Sequence, residues 1–140
     1  MTTVVYRDGI VAADQRGMSN GWIMPSREEK IMRLDDGRVL SGCGSTAGIA
    51  VLMAWVLGDR TTPQPKDDCA VILFDGGAPE VFELGGSYRE GEARFYAWGS
   101  GMPTALGALY AGASAVEAIE CAAKVDPNTG GDVQFMAVRT

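Results

Sequence analysis

The first sixteen residues, MTTVVYRDGIVAADQR, constrain the fold more than any other stretch. Two apolar, β-branched-rich runs, TTVVY and IVAAD, flank Asp8-Gly9, a dipeptide suited to the positive backbone angles of a two-residue hairpin turn. An antiparallel strand pair therefore opens the chain. The pattern recurs: EEKIMRL and RVLSGCG meet at Asp35-Asp36-Gly37, and CAVILF and EVFEL meet at DGGAP. Serial hairpins exclude a doubly wound parallel sheet and point to the α+β class.

Helices are expected at three places. Ser45 or Thr46 can cap AGIAVLMAWVL, which Gly58 ends. Pro103 suits the first turn of PTALGALYAG. Ser114 and Glu117 form a capping-box pair that opens AVEAIECAAKV. RFYAWGSG and DVQFMAV read as further strands. RGMSNGWIMPS and GGSYREGEA read as loops, and DRTTPQPKDD as a polar, proline-bearing connection. At 140 residues the chain suits one domain, 1–140. The first helix has no charge on any face, so it needs burial on all sides. It is too short for a bilayer, which takes about 20 residues, so subunit association is the expected cover.

The most useful count is a zero. The chain has no histidine, which removes Ser–His–Asp and Cys–His chemistry and histidine metal sites. Hydrolysis would have to rest on an amine, a carboxylate, a lysine or a borrowed group. Net charge is −6 with no basic run, which argues against nucleic acid or a membrane surface as partner. Cys43, Cys69 and Cys121 are odd in number and widely spaced, giving no disulfide framework and no zinc motif. Charged Arg7, Asp8 and Asp14 interrupt any signal-like run, so a cytoplasmic location is expected, with no cofactor. Thr2 stands out against this background. Exposed as the first residue by loss of Met1, it carries a hydroxyl beside a free α-amine, a nucleophile with a base built in.

Four pieces then line up: the N-terminal TT strand with VAADQR, Lys30-Ile31, GCGSTAG at a helix entrance, and the late pair GSG and DPNTGG. In this order the chain resembles the proteasome β-subunit and HslV-type peptidases, N-terminal-threonine members of the N-terminal-nucleophile hydrolases. Lys30 and Gly44 stand 14 positions apart, as the corresponding residues do in that family. The resemblance implies a four-layer αββα sandwich of two antiparallel sheets flanked by helices. It implies a threonine endopeptidase at work inside a homo-oligomeric ring or double ring. Unfolded polypeptide would be the substrate, and an ATP-driven unfoldase a possible partner.

Carried over residue by residue, Thr2 matches the nucleophile, and Lys30 the cation beside it. Asp14 matches the carboxylate that orients Lys30, and Gly44 the oxyanion donor. Ser100, Asp126 and Thr129 match the group that holds the amine and a water, Thr129 standing where serine is more usual. Met32, Gly42 and Thr46 match walls of the substrate pocket, and the small Gly42 points to a roomy, apolar site without a charged anchor. The first hairpin is shorter than the family's, but an even deletion at its tip keeps both strand ends opposite one another. The connection at residues 59–68 is too short for the family's second helix, so this is a minimal version. Two other functions stay open. If Met1 is retained, Thr2 has only an amide nitrogen, and the chain is a non-catalytic structural subunit. The third is an amidase of the same superfamily that acts on a small molecule without a chamber.

Overall fold

The computed structural model describes residues 2–59, 68–83 and 85–139. Its elements are β1 (Thr3–Arg7), β2 (Ile10–Asp14), β3 (Arg16–Ser19), β4 (Trp22–Arg27), β5 (Ile31–Arg33), β6 (Val39–Gly44), α1 (Thr46–Val56), β7 (Cys69–Phe74), β8 (Glu80–Glu83), β9 (Gly86–Arg89), β10 (Phe95–Gly99), α2 (Met102–Tyr110), α3 (Ala115–Val125) and β11 (Val133–Ala137). The opening hairpin turns through Asp8 at φ 52° and Gly9 at φ 75°, as the dipeptide predicts. It forms the centre of a four-stranded sheet in the order β10-β1-β2-β11. The second sheet runs β5-β6-β7-β8-β9, and every pairing in both sheets is antiparallel.

The two-residue period of a strand decides the layering. Val4, Tyr6 and Val11 face the second sheet, where they meet Val39, Ile72 and Phe74. Val5 and Ala12 face the other way, onto Leu109, Ala118 and Ile119 of α2 and α3. The outer face of the second sheet, through Leu40 and Val71, packs on Leu52 of α1. The result is the expected α+β sandwich of helix, sheet, sheet and helix. Among the described residues no helix is long and apolar enough to cross a membrane.

Two segments depart from expectation. Residues 16–26 were expected as a loop, yet Arg16–Ser19 and Trp22–Arg27 pair as a separate hairpin. It turns at Asn20-Gly21, with φ 51° and 83°. Asn-Gly is a hairpin signal that outweighs the loop composition around it. Pro25 is tolerated because, among the described strands, β4 pairs with β3 alone, and proline is confined to such edges. Residues 85–93 also read as a loop, but Gly86–Arg89 adds an edge strand to β8, with Val81 opposite Tyr88. Residues 60–67, most of the polar connection, lie outside the described residues.

Helix α1 is capped as its sequence predicts. Ser45 accepts a hydrogen bond from the Gly48 N–H at 3.3 Å, and Gly58 follows the helix at φ 117°. Only Gly48 and Leu52 of the helix are buried, and Ala47 and Ala50 are exposed. The contact with the sheet is close at Gly42, where an added Cβ would lie 2.7 Å from a methyl carbon of Ile49 and 3.1 Å from the Ala70 carbonyl. Gly42→Ala should therefore push α1 off the sheet and cost about 1–3 kcal/mol, as overpacking does. A urea melt read at the midpoint checks this, and an unchanged midpoint would remove the close-packing role from Gly42.

Candidate active site

The strand period treats the two opening threonines differently. Thr3 shares the helix-facing side of β1 with Val5, and its hydroxyl is fully enclosed. Thr2 lies one residue earlier, on the side of Val4, at the open end of the gap between the sheets. The ladder continues past β1, since the Ser100 N–H donates to the Thr2 carbonyl at 3.2 Å. A Cβ on Gly99 would overlap that carbonyl, so the glycine permits the close approach.

Thr3 belongs to a directed chain of hydroxyls. The Thr129 hydroxyl donates to Asp126 Oδ2 at 2.6 Å, so its proton is committed. The 2.6 Å contact between Thr3 and Thr129 must then run from the Thr3 hydroxyl to Thr129 Oγ1. Thr3 Oγ1 in turn accepts from the Gly101 N–H at 2.9 Å. Ser100 donates to the same Asp126 Oδ2 at 2.6 Å. Burial alone would push Asp126 up, but the hydrogen bonds from Ser100, Thr129 and Asn128 hold it below its ordinary 3.8.

Asp14 closes the other side. Its carboxylate is 1% exposed and forms a salt bridge with Lys30 at 3.1 Å. Oδ1 also accepts the Thr3 N–H at 3.1 Å, while Oδ2 accepts the Gly130 N–H at 3.1 Å and the Arg16 N–H at 3.3 Å. Lys30 Nζ reaches the Arg16 carbonyl as well, at 2.8 Å. Burial pushes the Lys30 amine down from 10.5, and the Asp14 carboxylate opposes that shift.

Gly44 ends β6 at φ 105°, where a side chain is strained, and a Cβ there would press on the Cys69 Cα at 2.8 Å. It stands immediately before the Ser45 cap, at the positive end of α1. Two cavities share Thr2 and Gly44. One, of about 270 Å³, is lined also by Lys30, Gly42, Thr46, Met24 and Met53. The other, of about 740 Å³, is lined by Cys43, Cys69, Glu83, Gly99 and Ser100.

The structure thus brings Thr2, Lys30 and Gly44 to one cavity wall, with Asp14 behind Lys30, and joins Ser100, Asp126 and Thr129 by hydrogen bonds. Two pocket expectations change. Met32 is 39% exposed on β5 and is not among the lining residues of either cavity; Met18, Met24 and Met53 supply thioethers instead. Gly42 does line the cavity, but Ile49 fills the space its missing side chain leaves, and Glu28 and Glu29 bring carboxylates to the wall. Four residues escaped sequence reasoning. Thr3 is hidden by its neighbour, and Arg16 lies inside VAADQR but acts partly through its backbone. Ser41 donates to the Lys30 carbonyl at 2.7 Å, and the Gln134 amide accepts from the Lys30 N–H at 2.8 Å. A polar residue at an inward register of an otherwise apolar strand was the available signal for the last two.

Two predictions follow from the charges. Asp14→Asn removes the carboxylate that balances the buried Lys30 charge, so a loss of about 3–5 kcal/mol is expected. The double variant Asp14→Asn/Lys30→Met should recover part of it in a denaturant melt. Asp126 has a lowered folded value, so its stabilisation is complete above 3.8 and lost as pH falls through that lower value. The stability difference between wild type and Asp126→Asn should accordingly shrink on acidification, and thermal melts across pH 2–6 read it. A constant difference would contradict the assignment.

No protein-family model and no curated protein sequence matches the chain. Solved structures do. Eukaryotic HslV from Trypanosoma brucei superposes with a TM-score of 0.75 at 17% identity, covering 100% of both chains. BPH from Thiobacillus denitrificans in complex with epoxomicin superposes with a TM-score of 0.69 at 22% identity, covering 99% of each. A second BPH structure gives 0.68 at 22% identity, over 99% of this chain and 98% of that one. With 270 matching chains in all, the chain has an HslV-like fold.

Proposed function

We propose that the protein is a threonine endopeptidase whose nucleophile is Thr2, exposed by removal of Met1. One observation carries the reading: of the two opening threonines, Thr3 has its hydroxyl committed to Thr129, while Thr2 lies between two cavities beside Lys30 and Gly44. Two cavities that meet at one residue suit a peptide that continues past the scissile bond in both directions. A small-molecule amidase needs only one.

The Thr2 hydroxyl adds to the peptide carbonyl and passes its proton to the Thr2 α-amine. An amine of this kind titrates at about 7.7–8.0, so it is a competent base near neutrality. The carbonyl becomes an oxyanion, which the Gly44 N–H and the positive end of α1 stabilise. The C–N bond then breaks, and the departing amine takes the proton back, leaving an ester on Thr2. Water, deprotonated by the same amine, cleaves the ester and restores the hydroxyl. Lys30 is the cation that favours the reactive form of Thr2, and Asp14 fixes its position. Ser100, in the Asp126–Thr129 network, is the group beside the amine.

The same reading takes the chain to be a cytoplasmic, ring-forming homo-oligomer acting on unfolded polypeptide fed by an ATP-driven unfoldase. Support for assembly comes from α1, whose uncharged outer residues Ala47 and Ala50 are exposed. Trp22 and Ile23 at the β3–β4 tip add 76% and 60% exposed apolar surface.

Native and denaturing mass spectrometry should show loss of Met1 and a multimer. An epoxyketone should add to the mass of the wild type and not to Thr2→Ala. Cleavage of a fluorogenic peptide should fall about 10³-fold or more in Thr2→Ala, as loss of a nucleophile does. Retained Met1 with no adduct would instead establish the non-catalytic structural subunit. A monomer active on small amides alone would establish the amidase.

A further inference from the structure

The backbone of Lys30 is held from two directions by side chains that the chemistry above does not use. Gln134 lies on β11 opposite Ala13, so strand alternation sends its side chain into the gap between the sheets. There its Oε1 accepts from the Lys30 N–H at 2.8 Å and from the Ile31 N–H at 3.1 Å. Its Nε2 donates to the Ile31 carbonyl at 3.0 Å. On the other side, the buried Ser41 hydroxyl donates to the Lys30 carbonyl at 2.7 Å. The Asn/Gln oxygen and nitrogen are fixed by this pattern, since only this orientation satisfies two donors and one acceptor at once.

This arrangement is more than a sheet needs. β5 has three residues and, among the described strands, is the edge of its sheet and pairs with β6 alone. A short edge strand frays readily, because half its backbone groups have no ladder partner. Gln134 supplies such partners from the opposite sheet, at the residue that carries the ammonium. The side chain of Lys30 is then anchored at its tip by Asp14 and the Arg16 carbonyl, and at its root by Gln134 and Ser41.

We infer that Gln134 and Ser41 are positioning residues that set the distance between the Lys30 ammonium and Thr2. The inference rests on the threonine-peptidase reading. An ammonium acts on its neighbour through a Coulomb energy that falls with distance, so slack at the root of Lys30 weakens the field at the Thr2 hydroxyl and amine. The charged groups facing Lys30 are Asp14 from β2, Arg16 from β3, and Glu28 from the segment before β5, with Glu29 and Thr2 on the same cavity wall; removal of Met1 would make the Thr2 nitrogen an amine there. A cation near an amine disfavours its protonation. Letting Lys30 drift raises the affinity of the Thr2 amine for its proton, which moves the acid limb of the pH–rate profile to higher pH.

The test uses Gln134→Met, which keeps the length and volume of the side chain and removes the three hydrogen bonds, and Ser41→Ala, a smaller change. Sites are counted by epoxyketone labelling, so kcat refers to labelled protein only. Each variant should lose about 10- to 100-fold in kcat, the scale of a small misplacement of a reacting group. KM for a fluorogenic peptide should stay within about twofold of wild type. The acid limb of kcat/KM should move upward in both variants. A purely structural role lowers the labelled fraction and leaves the limb in place. Wild-type kcat per labelled site with an unmoved limb, in either folded variant, overturns the inference and leaves the peptidase reading intact. A wild-type protein that neither labels nor cleaves overturns the peptidase reading itself.

Discussion

Asp14 brings a full charge into the interior at the end of the opening hairpin, and the surrounding structure is arranged to make that tolerable. An isolated buried carboxylate costs several kcal/mol, so it persists only where donors replace the lost water. Here four donors do so, and each comes from a different part of the chain. The Thr3 N–H belongs to β1, the Arg16 N–H to β3, the Gly130 N–H to the loop before β11, and the ammonium to Lys30. The carboxylate therefore fixes the start of the chain, the exit of the first hairpin and the approach to the last strand around one point. Its bond to Lys30 adds the second sheet to that set.

The start of the chain shows how period two turns a pair of identical residues into two different groups. Thr3 faces the helices, where it passes a proton toward Thr129 and receives one hydrogen bond from Gly101. That leaves it no freedom, and its role is to lock β1 against the helix layer. Gly101 has to lack a side chain for this, since a Cβ would come within 2.5 Å of Thr3 Oγ1 and 3.1 Å of Thr129 Oγ1. Thr2 faces the opening between the sheets and is free of that network. A one-residue slip of β1 would exchange the two, so the register with β10, Thr3 opposite Gly99, decides which threonine faces the opening.

What was legible in the sequence was whatever is written locally. The Asp8-Gly9 turn, the caps at Ser45 or Thr46 and at Ser114, and the apolar runs of the core strands were all read from neighbours a few residues apart. They gave the α+β class, and the four layers came from the family resemblance. The Asn20-Gly21 hairpin carried an equally local signal, but it sat among Ser, Pro and Gly and was read as loop. Strand β9 had no local signal to offer: it is exposed along its length and owes its state to the edge of β8. At the site, the order of Thr2, Asp14, Lys30 and Gly44 was visible through a family resemblance. The partners that hold them were not, because Gln134 and Ser41 reach Lys30 across 104 and 11 positions. Strand alternation marks both as polar residues at inward positions, but it does not name the partner at that separation.

The size of Gly42 shows a further gap between sequence and space. A small residue at a pocket wall implies room only if nothing else moves in, and here α1 does, with Ile49 in the vacated volume. What shapes the cavity is then the seat of α1 on the sheet together with the thioethers of Met24 and Met53. Methionine adapts its three torsions to what it meets, so such walls accommodate side chains of varied outline. Glu28 and Glu29 lie on the same wall, near a lysine whose charge is already shared with Asp14. Arg16 lines the same wall while donating to the carbonyls of Pro127 and Thr129, so charges of both signs stand beside the thioethers.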